Sequence, residues 1–161
     1  IESMNNLIEW LPKNLPTEKK TGIVHGDYSL TNVMVGKNEP DVIAILDWEL
    51  STLGDPCADF NYHCLQYIMN PKLADKDYCK SQGIPIIDDY VKTYSEKINI
   101  DLSQEWDLYS AYNLFKLAGI LQGILGRVRD GTAAHENAAE RASGVRNLSD
   151  KAWDLVKKNF I

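Results

Sequence analysis

Apolar residues open the chain at Ile1, Met4, Leu7, Ile8 and Leu11, a helical spacing that Pro12 ends. The polar stretch 13–20, which contains Pro16, reads as a loop. Residues 22–25 form a short β-type run. A second run spans 32–35 and stops at Gly36, and 41–46 is a β-branched, aliphatic stretch that reads as a buried strand. The runs at 32–35 and 42–46, joined by a polar turn through Pro40, predict a hairpin. Beyond them the pattern becomes helical. Asp55 followed by Pro56 is a helix start, predicting a helix to about Met69 that ends before Pro71. Helices are also predicted over 86–98 and over 103–129, the latter apolar on most sides and ended by Asp130-Gly131. Thr132 is placed to cap a fourth helix that breaks near Gly144 and runs to about Lys158. A few strands followed by a helical body make an α+β pattern, mostly α.

The 161 residues suit one domain, or one lobe of a larger one. With 44% hydrophobic and 25% charged residues a core can form. A net charge of −6 with scattered basic residues disfavours a nucleic-acid partner. Asn113, Lys116 and Gln122 interrupt the most apolar stretch, so a buried helix is expected there and not a membrane span. Cys57, Cys64 and Cys79 have no metal-binding or disulfide spacing and read as buried free thiols of a cytoplasmic protein.

The chemistry lies between the strands. His25-Gly26-Asp27 occupies the loop after the first strand, Asn32 follows Asp27 by five residues, and Asp47 ends the apolar strand fifteen residues later. Phosphoryl transfer from a nucleotide needs a carboxylate to orient the acceptor hydroxyl and take its proton. It also needs hard oxygen ligands for Mg²⁺. The loop supplies a carboxylate and an amide oxygen, the following strand supplies a second carboxylate, and the hairpin brings Asn32 and Asp47 towards one cleft. Each residue alone has a plainer use: Asp27 as a turn former, Asn32 as a cap, His25 as scaffold, Asp47 as a strand end. Their joint spacing is what favours chemistry.

That spacing resembles a family. His25-Gly26-Asp27 with Asn32 is similar to the catalytic loop of the aminoglycoside phosphotransferase-like kinases, and Val42 through Glu49 is similar to their metal-binding strand. Gly54-Asp55-Pro56 with Asp59 looks like the element that follows. Leu46 through Pro56, with Leu121-Gln122-Gly123 and Arg127, further resembles the subgroup associated with acyl-CoA dehydrogenases. The resemblance covers essentially the whole chain. It implies a protein-kinase-like C-terminal lobe and an ATP- and Mg²⁺-dependent small-molecule kinase. In that family Asp27 would be the base, His25 a brace for the loop, and Asn32 and Asp47 the Mg²⁺ and cofactor ligands. Asp55 and Asp59 would be structural, and Glu49 would reach a metal through water or face solvent.

Two details favour a constitutive small-molecule kinase over a protein kinase. Gly26 stands where a phosphate-reading arginine would be needed, and the link from Asp47 to Pro56 is too short for a regulatory loop. A kinase site also needs a phosphate-covering loop and a lysine–glutamate pair. The roughly twenty residues before the catalytic strand cannot build them, and Gly36-Lys37 is not a phosphate loop. Residues 1–161 therefore read as the catalytic lobe without its N-terminal nucleotide lobe, expected to bind ATP weakly and to turn over little or nothing alone. Arg127 and Gln122, if they face the cleft, suit an anionic acceptor such as a hydroxy acid or hydroxyacyl-CoA better than an aminoglycoside or choline-type one. The rival readings are an inactive kinase-like binding module, and a metal-dependent hydrolase using His25, Asp27 and Asp47. The hydrolase is disfavoured because His63 and His135 lack ligand spacing.

Overall fold

The computed structural model describes residues 1–16, 20–133 and 137–161. The middle of the 13–20 loop and His135 lie outside the described residues. The chain forms two compact units: Thr17–Trp106, and Ile1–Pro16 together with Asp107–Ile161.

The first unit carries all four described strands. β1 (Gly22–Val24) pairs antiparallel with β4 (Thr52–Gly54), placing Ile23 opposite Leu53. β2 (Val33–Val35) and β3 (Val42–Ile45) form the expected hairpin, Val33 opposite Ile45, with a register irregularity between Met34 and Val35. One expectation fails here. The run 41–46 reads as a buried strand, yet Val42 is 58% and Ile43 62% exposed. A sheet of two strands buries residues only where another layer lies on it, and composition does not say whether that layer is present.

α2 (Pro56–Cys64) begins as its sequence requires: Asp55 Oδ1 accepts the Cys57 amide at 2.9 Å and Pro56 fills the first turn. The predicted helix to Met69 breaks at Leu65 and resumes as α3 (Gln66–Met69). α4 (Pro71–Ala74) and α5 (Lys76–Ser81) follow, capped by the side chains of Asn70 and Asp75. Neither was legible as a helix, because one or two turns carry no readable period. α6 (Ile87–Ile98) ends at Asn99, whose left-handed φ of 55° lets the Ile100 amide reach back to the Ser95 carbonyl at 3.1 Å. The core of this unit is aromatic and thiol-rich. Phe60 stacks on Tyr94 at 3.7 Å and meets Tyr90 and Trp106 edge-on or tilted, and Cys57, Cys64 and Cys79 are buried.

The second unit is helical. α7 (Trp106–Arg129) buries Leu108, Tyr109, Ala111, Leu114 and Ala118 along its first half, as the apolar stretch predicts. Gly131, at φ 71°, closes it: the Gly131 amide bonds the Val128 carbonyl at 3.1 Å and the Thr132 amide the Arg127 carbonyl at 2.8 Å. The Thr132 amide thus finishes α7, and the next helix among the described residues is α8 (Ala138–Arg141). A single 3-10 turn through Gly144 makes the expected break before α9 (Val145–Asn159). α1 (Glu2–Trp10) lies along α9. Leu7 of α1 and Leu148, Ala152 and Val156 of α9 are buried, and the Ser3 hydroxyl donates to Asp150 at 2.6 Å. Among the described residues no helix is long and apolar enough to cross a membrane. The architecture is α+β and mostly α.

The thiols give a direct check on this packing. Cys57 and Cys64 are each 2% exposed, and burial pushes both up to about 12. The reactive thiolate is therefore scarce at pH 8. The native protein should react negligibly with a thiol-specific disulfide reagent, whereas all three cysteines should titrate in denaturant. Fast modification of the native protein would show the core to be open.

Candidate active site

The loop between β1 and β2 is built around His25. The residue is 2% exposed. Nε2–H donates to the Leu46 carbonyl at 2.7 Å, and Nδ1 accepts the Asp27 amide at 3.2 Å. One imidazole therefore ties the loop backbone to the end of β3. The ring also packs against Trp48, centroids 4.8 Å apart, and the Trp48 indole N–H closes its own turn onto the Ile45 carbonyl at 2.8 Å.

Gly26 has φ 86°, and a Cβ there would sit 2.5 Å from the Leu50 carbonyl oxygen. The backbone conformation and the close approach each require glycine. This turn aims the amides of His25 and Gly26 at α2, where both donate to the Asp59 carboxylate, Gly26 to Oδ1 at 3.0 Å and His25 to Oδ2. Asp55 caps a helix and Asp59 bonds loop amides, which are the structural uses expected of them.

Asp27 follows, half-buried. Asn32 Nδ2 donates both to the Asp27 backbone carbonyl at 2.9 Å and to its carboxylate Oδ2 at 3.2 Å. Those bonds fix the amide and use Nδ2 alone, leaving Oδ1 as the oxygen able to bind a cation. The hairpin extends one pair past its strands, the Leu46 amide bonding the Asn32 carbonyl at 2.8 Å, so Asn32 stands beside the segment that carries Asp47. Asp47 adopts the left-handed conformation, φ 66° and ψ 56°, which aspartate tolerates better than most residues. Its side chain and that of Glu49 are exposed.

An amide oxygen and a carboxylate, with phosphate oxygens and waters completing the sphere, fit Mg²⁺, which usually keeps few protein ligands. A hydrolase site of the histidine-rich kind has no counterpart among the described residues, where no three of His, Cys, Asp or Glu gather closely enough to hold a metal.

Sequence reasoning missed Tyr62. Burial, and after it the Asp27 carboxylate nearby, push its ionisation up to about 12. The available signal was the helical spacing of Asp59, Tyr62 and His63, which lie on one face of α2. Gln122 and Arg127 belong to the other unit, both exposed on the later turns of α7. Arg127 reaches back over Gly123, where a Cβ would lie 3.8 Å from its guanidinium.

These features define a kinase-like phosphotransferase fold. The chain belongs to the phosphotransferase enzyme family, whose sequence profile matches residues 1–112. It is 37% identical to acyl-CoA dehydrogenase family member 10 of Mus musculus over 98% of the chain and 15% of that protein. It is 34% identical to acyl-CoA dehydrogenase family member 11 of Homo sapiens over 99% of the chain and 21% of that protein. A solved structure, that of a candidate aminoglycoside phosphotransferase from Ralstonia eutropha, superimposes with a TM-score of 0.89 at 40% identity. That likeness covers 98% of this chain and 50% of the other. The chain thus spans half of the solved relative and about a fifth or less of the longer ones.

The geometry at Gly26 makes a sharp prediction. Gly26→Arg should destabilise the protein by at least about 2 kcal/mol, from positive φ and the clash with the Leu50 carbonyl together. Chemical denaturation measures it; a neutral substitution would mean the loop relaxes at no cost.

Proposed function

We propose that the chain is the catalytic C-terminal lobe of an ATP- and Mg²⁺-dependent kinase that transfers the γ-phosphoryl group to a hydroxyl of a small molecule. The observation that carries this reading is the Asp27 carboxylate held by Asn32 beside the strand end that bears Asp47. Asp27 orients the acceptor hydroxyl and takes its proton as the new O–P bond forms and the bond from the γ-phosphorus to the bridging oxygen breaks, releasing ADP. Asn32 Oδ1 and the Asp47 carboxylate would hold Mg²⁺, which neutralises charge on the phosphate oxygens. His25 keeps the loop and the strand end in register through its two ring nitrogens.

The nucleotide lobe would come from outside residues 1–161. Two facts support this: the solved relative has twice the matched length, and Leu30, Met34, Val35, Val42 and Ile43 present apolar side chains to solvent where another layer could cover them. For the acceptor we favour a hydroxy acid or hydroxyacyl-CoA over an aminoglycoside or a choline-type alcohol. The supports are the names of the longer relatives and the exposed Arg127, with Gln122 five residues earlier on α7, as contacts for an anionic group. Three buried free thiols suit a reducing cytoplasm.

ADP release by the protein joined to its nucleotide lobe, with Mg-ATP and a panel of these acceptors, tests the proposal. Asp27→Asn should lower kcat about 10²–10⁴-fold, the usual worth of a general base. Asp47→Ala should raise the Mg²⁺ concentration needed for half-maximal rate. Full activity of Asp27→Asn would remove the base from the mechanism. Residues 1–161 alone should bind Mg-ATP weakly in calorimetry and release no ADP above background; robust turnover by them would overturn the need for a second lobe.

A further inference from the structure

A cavity of about 410 Å³ lies in the first unit, among residues of α2, α6 and the loop after β1. Its walls are already built. Tyr28, Trp48, Phe60, Tyr90 and Tyr94 line it, and the stack of Phe60 on Tyr94 holds two of those rings in place. Cavities of this size, mostly apolar with a few polar groups, are the kind that take small molecules. His25 lines it too, so the cavity backs onto the loop that bears Asp27. Two lining side chains carry a full charge, Asp59 and Lys97. The Asp59 carboxylate is engaged by the amides of His25 and Gly26. Lys97 is exposed and, unlike Lys76 and Lys92, has no ion pair among the described residues. It shares one face of α6 with Tyr90, Thr93 and Tyr94, at helical spacing.

We propose that this cavity binds a small aromatic carboxylate, its ring among the aromatic walls and its carboxylate at Lys97. The inference goes beyond the phosphotransferase reading and does not depend on it. Aromatic walls favour an aromatic guest, because offset and edge-to-face ring pairs add to the gain from burying apolar surface. Charge then decides between guests. An ammonium group would meet Lys97 as a like charge, and the one carboxylate in the lining already serves two amides. An anion meets a lysine with no other ion pair, at an exposed end of the cavity where it keeps part of its hydration. The phenol walls do not oppose it. Burial first, and then neighbouring acidic groups, push Tyr94 up to about 12, so that ring stays neutral. A molecule held there would touch His25 and Tyr28, the residues on either side of Gly26-Asp27.

Calorimetry on the protein joined to its nucleotide lobe tests the site, with 2-naphthoate and its uncharged counterpart 2-naphthylmethanol as probes. Both should bind one to one, the carboxylate about threefold more tightly, as suits an exposed ion pair. Lys97→Met should erase that preference and leave the affinity for 2-naphthylmethanol unchanged. Thr93→Trp, which puts a large ring into the cavity from an exposed position, should weaken both probes at least about tenfold. Lys97 is also exposed, so its variant keeps the test valid should the tryptophan disturb folding. Equal affinity for the two probes, a preference that survives Lys97→Met, or a folded Thr93→Trp that binds as well as the wild type would each overturn the proposal. Absence of saturable binding would overturn it as well, and would mean that the rest of the protein fills the cavity.

Discussion

The site depends on one acceptor: the Asp59 carboxylate, which takes the backbone amides of His25 and Gly26. A loop that turns through a left-handed glycine points consecutive N–H groups in one direction, and in a buried place those donors need a partner. An ionised carboxylate on a rigid helix satisfies two of them at once, with charge-assisted bonds stronger than neutral ones. The helix is itself fixed at its first turn by Asp55 and Pro56 and along its inner face by the Phe60–Tyr94 stack. The order of cause therefore runs from α2 to the loop, and from the loop to Asp27. Without that acceptor the His25 ring would lose its reason to sit where it does, and the loop its bond to the end of β3.

Much of this was legible in the sequence, for definite reasons. Asp55-Pro56 announces a helix start through capping chemistry that acts over two residues. The His25, Asp27, Asn32 and Asp47 pattern is legible because a tight loop followed by a hairpin permits few spacings. What escaped was whatever depends on tertiary partners. β4 has three residues and exists because β1 is there to pair with it. The exposure of Val42 and Ile43 could not be read, because β-branched residues suit a covered strand and a bare one alike. Thr132 looks like an N-cap by type, yet its amide closes the preceding helix, because Gly131 had already set the chain direction. Tyr62 passed for a core aromatic: nothing local marks a phenol as the neighbour of a residue thirty-five positions earlier.

Asp47 carries backbone strain just past the end of β3. A non-glycine residue at φ 66° costs of order 1–2 kcal/mol relative to an ordinary conformation. Here the cost is offset on both sides. The Leu46 amide and carbonyl are both engaged, by Asn32 and His25, and Trp48 locks the following turn onto Ile45. A strand that ended in an ordinary β conformation would continue along the hairpin. The left-handed residue instead turns the chain sharply at the point where the carboxylate projects, so it opens towards solvent and not into the sheet.

The imidazole of His25 then explains why the loop and the strand end behave as one object. Its two nitrogens have opposite roles, donor to the Leu46 carbonyl and acceptor from the Asp27 amide, and only the neutral ring with its proton on Nε2 satisfies both. A lysine or arginine could donate but not accept, and an asparagine side chain is too short to place both functions across the same gap. The ring is sealed by Trp48 on one face and approached by Tyr28, which keeps water from competing for either nitrogen. A fixed tautomer in a dry pocket is a rigid spacer between residues 27 and 46. The separation of the Asp27 segment from the Asp47 segment is therefore set by the width of a five-membered ring and not by the flexibility of two loops.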